Sequence, residues 1–339
     1  MFSKTENGGL LSLNKSSTIN WIIKGLLVVV FCVILTYQLT NDNQLSVLWD
    51  SFVATLSYDK IWFLVLALIM MPINWSLEAI KWGGLINKFE VISFKNSYYA
   101  IMSGLTLGIL TPARIGEYGG RVLYVKAENN WKAVITTFIT SISQNLVNLT
   151  FGSCCTIAFV YYNFGLDQML LIASLLFVSV LTLIAYTLYF HIDTLQKFFK
   201  KISIPFISKA LKQHLKVLKL FSKQDLLTVS VWSLMRYLVY CSQFVLLLYF
   251  FGVEGSFAMM FLGVSTVFLI QSAIPLPPML NVFARSEIAL IVWGIFSINE
   301  IAIISSSFGL WIINLLIPAF IGLLLSMNKN VVKSFGYEK

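Results

Sequence analysis

Apolar residues run through this chain in long unbroken stretches parted by short polar ones, without the two-residue alternation of half-buried strands. A stretch of roughly 20 such residues is long enough to cross a bilayer as a helix. Residues 21–39, 61–82, 133–161, 168–190, 226–251 and 301–326 meet that length, and the pattern predicts six full membrane helices there. Two further apolar stretches are too short. Residues 101–110 run into Thr111-Pro112-Ala113-Arg114-Ile115-Gly116-Glu117-Tyr118-Gly119-Gly120-Arg121, and residues 257–274 run into Pro275-Leu276-Pro277-Pro278, with Arg285 and Glu287 beyond.

The charges beside these short stretches suggest how they fold. Lys81, Lys88 and Lys95 precede the first, and Lys126 and Lys132 follow it. Basic residues collect on the cytosolic side of membrane proteins, so a single crossing would leave one basic flank outside. A re-entrant hairpin that turns near Pro112 keeps both flanks inside. Non-helical backbone at that depth is tolerated where protein or a water-filled cavity surrounds it. The second stretch lies between Glu254 and Glu300, with no lysine at either end, and predicts a hairpin entering from outside, broken at Pro275, Pro277 and Pro278. Three full crossings, or two with a displaced loop, are the alternatives for this half.

The expected architecture is therefore an all-α polytopic membrane protein: about six full transmembrane helices plus two re-entrant helical hairpins, arranged as a candidate inverted repeat. A cytosolic segment 1–20 precedes a single transmembrane domain, 21–326, and a cytosolic tail 327–339 follows it. The halves 21–190 and 226–326 are joined by the basic loop 191–225, which carries eight lysines against Asp193 and Asp225. Within it, Leu211, Leu215 and Leu218 share a face beside Lys212, Lys216 and Lys219. The stretch from Lys197 to Lys223 is thus expected to meet anionic lipid headgroups, or to be a solvated positive-inside loop.

Composition agrees. Of 339 residues, 58% are hydrophobic and only 12% charged, against about 25% charged in soluble domains; mean hydropathy is +0.81. The formal net charge of +9 sits in short loops between apolar stretches, which points to a cytoplasmic-membrane protein with both termini cytosolic, and away from a nucleic-acid partner. The four cysteines, Cys32, Cys154, Cys155 and Cys241, all fall inside apolar runs and match neither a zinc site nor a disulfide framework. No cofactor and no metal ion is expected. A homo-oligomer is compatible with the sequence.

Ionisable and amide side chains inside apolar stretches mark the candidate chemistry, because such groups are costly at membrane depth and usually face a protein interior or a cavity. Glu78 and Lys81 are three residues apart and able to pair on one helical face. Arg114 and Arg121 share a face if the returning arm is helical, with Glu117 between them. Asn145 and Asn148, beside Ser141 and Gln144, make a polar stripe on a predicted span, either bonding to a neighbouring helix or forming a cavity wall. Arg236 interrupts another span and needs a partner or a route to water. Arginine offers a planar fork matched to phosphate or carboxylate. The set Arg114, Glu117, Arg121 could hold a phosphate-bearing headgroup, with Glu117 balancing the arginines or taking a cationic moiety, or it could close on itself as a salt-bridge network.

The chain resembles the membrane region of lysylphosphatidylglycerol synthases, the flippase part of that family, as a stand-alone member without the synthase domain. The residues that carry the resemblance are Thr111-Pro112-x-Arg114-x-Gly116-Glu117-x-x-x-Arg121, Glu78-Ala79-x-Lys81-Trp82 upstream, and Pro275-x-Pro277-Pro278 with Glu287 downstream. Where the family usually has glycines before that glutamate, this chain has Met279 to Arg285. The resemblance implies translocation of a phospholipid or a lipid-linked anionic substrate, with Arg114, Glu117 and Arg121 in an inner cavity and Glu287 in an outer one. Two other expectations stand beside it: a membrane-embedded transferase (or accessory subunit) acting on lipid-linked substrates, and a non-transporting scaffold that recruits a partner through the basic loop. No hydrolase, nucleotide-binding or metal motif is present, and no catalytic residue is assigned.

Overall fold

The computed structural model describes residues 59–109, 111, 114–192, 215–274, 281–294, 299–327, 329, 330 and 334, and the isolated positions 25, 29, 50 and 53. The expected cytosolic segment 1–20, most of the first span, residues 193–214 of the basic loop, most of the tail, and Pro112, Pro275, Pro277 and Pro278 lie outside the described residues.

All regular structure among the described residues is helical. Helix α1 runs Ile61–Ile86 and continues one turn past its predicted end. Helices α2 (Phe94–Ile109) and α3 (Gly116–Val122) follow, then α4 (Asn130–Phe164) and α5 (Gln168–Phe190). After a 3₁₀ turn at Leu215–Leu220, α6 covers Lys223–Phe250, opened by a Ser222–Asp225 capping box that satisfies the first free amides. Then come α7 (Phe257–Ser272), α8 (Asn281–Trp293), α9 (Glu300–Trp311), a π-helical turn at Ile312–Leu316, and α10 (Ile317–Ser326).

Among the described residues, four helical stretches are long and apolar enough to cross a membrane: Ile61–Ile86, Gln168–Phe190, Lys223–Phe250 and Glu300–Ser326. The protein is a helical membrane protein. Helix α4 spans 35 residues but falls outside that set; its Ser141, Gln144, Asn145 and Asn148 lower the hydropathy that the predicted span 133–161 relied on. Helix α5 is the reverse case. Only Tyr189 along it is buried, while Leu170, Phe177, Leu183 and Leu188 are exposed. In water such a face would be a large apolar patch, whereas lipid leaves it without penalty.

The two short apolar stretches each form a helix against which the next helix packs. With 16 residues apiece, α2 and α7 reach about 24 Å at about 1.5 Å per residue, short of the roughly 30 Å hydrocarbon core. Helix α3 packs back along α2 through glycines. A Cβ at Gly120 would land on the backbone of Ser103 and Gly104, and one at Gly116 would land on the Leu107 carbonyl. Helix α8 returns along α7, where Gly263 makes room for the Trp293 ring.

The packing has a regularity between the halves. Helix α1 packs along α6. The first hairpin arm, α2, packs on α10, and the second, α7, packs on α4. Exchanging first-half for second-half elements maps this set of neighbours onto itself. The α2–α10 contact is close: a Cβ at Gly322 would meet the Met102 carbonyl, and the Thr106 hydroxyl donates to the Ala319 carbonyl at 2.6 Å. At the centre, a chain of buried amides ties three helices together. Gln243 donates to the Ala67 carbonyl at 2.6 Å, Asn314 to Gln243 Oε1 at 2.7 Å, and Asn74 to Asn314 Oδ1 at 3.1 Å. The π-helical turn offsets the ladder at Asn314, a frequent device at functional positions.

Candidate functional site

Helix α1 is apolar until its last turns, where Asn74, Glu78 and Lys81 share one face and are all buried. Glu78 is the hub of an ion network. Its carboxylate lies 2.7 Å from Lys81 Nζ, 3.2 Å from Arg121 Nη1 and 3.3 Å from Arg236 Nη1. These partners come from α1, α3 and α6, so one carboxylate joins three elements. Glu117 extends the network, 2.5 Å from Arg114 Nη2 and 3.6 Å from Arg121 Nη2. Gln144 Oε1 accepts from Lys81 at 3.3 Å and from Arg236 at 3.4 Å. Arg236, the interruption in an apolar helix, thus has a carboxylate, an amide and the Trp75 ring, whose centroid is 4.7 Å from its guanidinium carbon.

On one side of this network opens a cavity of ≈ 480 Å³. Its wall carries three arginines, Arg114, Arg236 and Arg285, and the amides Gln144, Asn145, Asn148, Gln271 and Asn314, with Trp75, Tyr237, Tyr240, Phe268 and Trp311 between them. No carboxylate lines it among the described residues. Arg285 is held from α8 by Gln271, which accepts from Nε at 3.0 Å, and lies 5.8 Å from the Phe268 ring centroid. Several donors on this wall are buried without a hydrogen-bond partner: Nε of Arg114 and of Arg236, Nη1 of Arg285, and the indole N–H groups of Trp75 and Trp311. Buried donors left unpaired are costly, and these five lie on residues of the cavity wall with almost no accessible area of their own.

Arg114 has a further distinction. Its φ of 59° is the one positive value at a non-glycine among the described residues. The left-handed region costs a side-chain-bearing residue roughly 1–2 kcal/mol, and such strain gathers at functional breaks in secondary structure. Here it turns the chain from α2 into α3 and brings the guanidinium to both Glu117 and the cavity.

A family model for the lysylphosphatidylglycerol synthase transmembrane region matches residues 21–322. The chain belongs to that family. No curated protein matches it.

Most of the residues singled out for this family member meet in the structure. Arg114, Asn145, Asn148, Arg236 and Arg285 line the cavity, while Glu78, Lys81, Glu117 and Arg121 form the network behind it. Both readings of the α4 stripe hold, because Asn148 lines the cavity and also donates to the Phe268 carbonyl at 3.3 Å. Arg114, expected in an inner cavity, lines the same cavity as Arg285. Glu287 is exposed and off the cavity wall, because residues two apart on a helix face away from each other. In the basic loop, Val217 and Leu218 are buried against the cluster around Tyr189, and Lys216 and Lys219 are exposed. Trp75, Gln271, Trp311 and Asn314 escaped the sequence reading. Asn314 had a signal, an amide inside an apolar span; the tryptophans look like ordinary core or interface residues.

Proposed function

We propose that this protein translocates a phospholipid or a lipid-linked anionic substrate across the cytoplasmic membrane, its headgroup entering the arginine-lined cavity while the acyl chains stay in lipid. The observation that carries this reading is the convergence of Arg114, Arg236 and Arg285, from both halves of the chain, on one cavity with no carboxylate among its described lining residues. Guanidinium forks bind phosphate through charge-assisted hydrogen bonds. Supporting it, the exchange of neighbours between halves and the paired short helices fit an inverted repeat whose hairpins meet at a central site, a plan used by membrane transporters. In this reading both termini are cytosolic, the first hairpin enters from the cytosol and the second from outside. The basic loop rests on anionic headgroups, and the protein acts by transport without bond-making chemistry.

Purified protein in vesicles, with a fluorescent anionic phospholipid in one leaflet, tests it. Arg114→Gly removes the guanidinium yet suits the left-handed backbone, so it spares the fold. Losing one charge-assisted contact of about 1.5–3 kcal/mol predicts a fall in translocation of about ten-fold or more. An unchanged rate would reject the site.

A further inference from the structure

Resting on the reading that the cavity receives a headgroup, we infer that it selects headgroups with at least two negative charges and no ammonium, such as a phosphomonoester or pyrophosphate, over zwitterionic and cationic ones.

The carboxylates of the site are already committed. Glu78 faces Lys81, Arg121 and Arg236, and Glu117 faces Arg114 and Arg121. Neither lines the cavity. An ammonium entering it would meet three guanidiniums and no counter-ion among the described residues. Four of the five wall aromatics that could otherwise take a cation already have a ring face in contact with a guanidinium or another ring. Trp75 carries the Arg236 guanidinium, Phe268 carries that of Arg285 and stacks on Tyr240 at 4.7 Å, and Trp311 stacks on Phe308 at 5.8 Å.

The site also has charge to spare. Five cations (Lys81, Arg114, Arg121, Arg236 and Arg285) stand against the two carboxylates, a formal excess of three positive charges among the described residues. A monoanionic phosphodiester would leave two of them uncompensated in a partly dry site, while a dianion or trianion would leave one or none. The hydrogen-bonding pattern runs the same way. Among the described lining residues the three guanidiniums offer only donors, as do both indoles, while the carbonyl oxygens of Gln144, Gln271 and Asn314 already accept from Arg236, Arg285 and Asn74. A phosphate presents acceptor oxygens on every side; an ammonium presents donors to a wall already rich in them. Discrimination of this kind arises as much from what the wall repels as from what it holds.

The test uses the full chain in vesicles with four labelled lipids: phosphatidate, phosphatidylglycerol, phosphatidylcholine and a lipid with a quaternary ammonium headgroup alone. Binding of inorganic pyrophosphate is measured on the same protein in nanodiscs. The expected order of translocation is phosphatidate, then phosphatidylglycerol, then phosphatidylcholine, with at least ten-fold between first and third and none for the cationic lipid. Pyrophosphate should compete with phosphatidate. Arg285→Gln should shrink the phosphatidate-to-phosphatidylcholine ratio several-fold, and Arg285→Lys should restore part of it, with unfolding midpoints showing that both variants fold. Equal rates for phosphatidate and phosphatidylcholine would overturn the charge selection while leaving translocation standing. If no lipid moves but phosphatidate binds at least ten-fold better than phosphatidylcholine, the selection stands and translocation falls. If pyrophosphate alone binds, the phosphate chemistry holds for a soluble anion and the lipid source is rejected. Preference for the cationic lipid would overturn the inference outright.

Discussion

Neutralising Glu78 is the sharpest perturbation that the ion network offers. Its carboxylate is 3% exposed and meets cations at 2.7, 3.2 and 3.3 Å. With an effective dielectric of about 20, these contacts are worth about 6, 5 and 5 kcal/mol of gross attraction. Most of that is offset by the cost of drying four charges and by repulsion among the three cations. What Glu78→Gln exposes is the remainder, three cations left buried with Glu117 as their nearest carboxylate. Breaking a buried pair from one side typically costs about 3–5 kcal/mol, and that is the loss expected here. The assay is reversible unfolding in mixed micelles by a denaturing detergent, for Glu78→Gln, Lys81→Met and the double variant. Because removing Lys81 relieves part of the uncompensated charge, the double variant should be at least about 2 kcal/mol more stable than the sum of the singles predicts. A Glu78→Gln loss below about 1 kcal/mol, or strict additivity, would refute the view of Glu78 as the hub.

Two further outcomes follow from the packing. Gly120→Ala puts a Cβ against the Ser103 and Gly104 backbone, which forces α3 away from α2. A stability loss of about 1–3 kcal/mol with slower translocation is expected, and a variant indistinguishable from the parent in both assays would contradict the described hairpin. Asn314→Leu breaks the buried amide chain and leaves Asn74 and Gln243 each short of a partner. It should cost about 1–3 kcal/mol, and adding Asn74→Leu should cost less than it does in the parent; additive losses would contradict the chain.

Hydrophobic run length was enough to read a helical membrane protein, the ends of α5 and α9 to α10, and the shortness of α2 and α7, because the bilayer imposes its thickness directly on sequence. Local spacing was enough for the contacts within a helix or one turn: Glu78 with Lys81, and Glu117 with Arg114 and Arg121. The motif Thr111 to Arg121 carried the family. What the linear chain could not express was which polar groups from distant segments would meet. Arg236 lies 158 positions from Glu78 in number, and nothing in its apolar surroundings names that carboxylate as its partner. Arg285 and Glu287 read as a pair by proximity, yet helical geometry sends one to the cavity and the other outward. The sequence alone therefore determined that charged side chains would be buried in a membrane domain and need partners. Only the packing of α1 against α6, and of each hairpin on the other half, decided that the carboxylates would be consumed in a network behind the wall. That packing left three arginines on the cavity, and it is a property of contacts between helices far apart in sequence, which periodicity and composition do not encode.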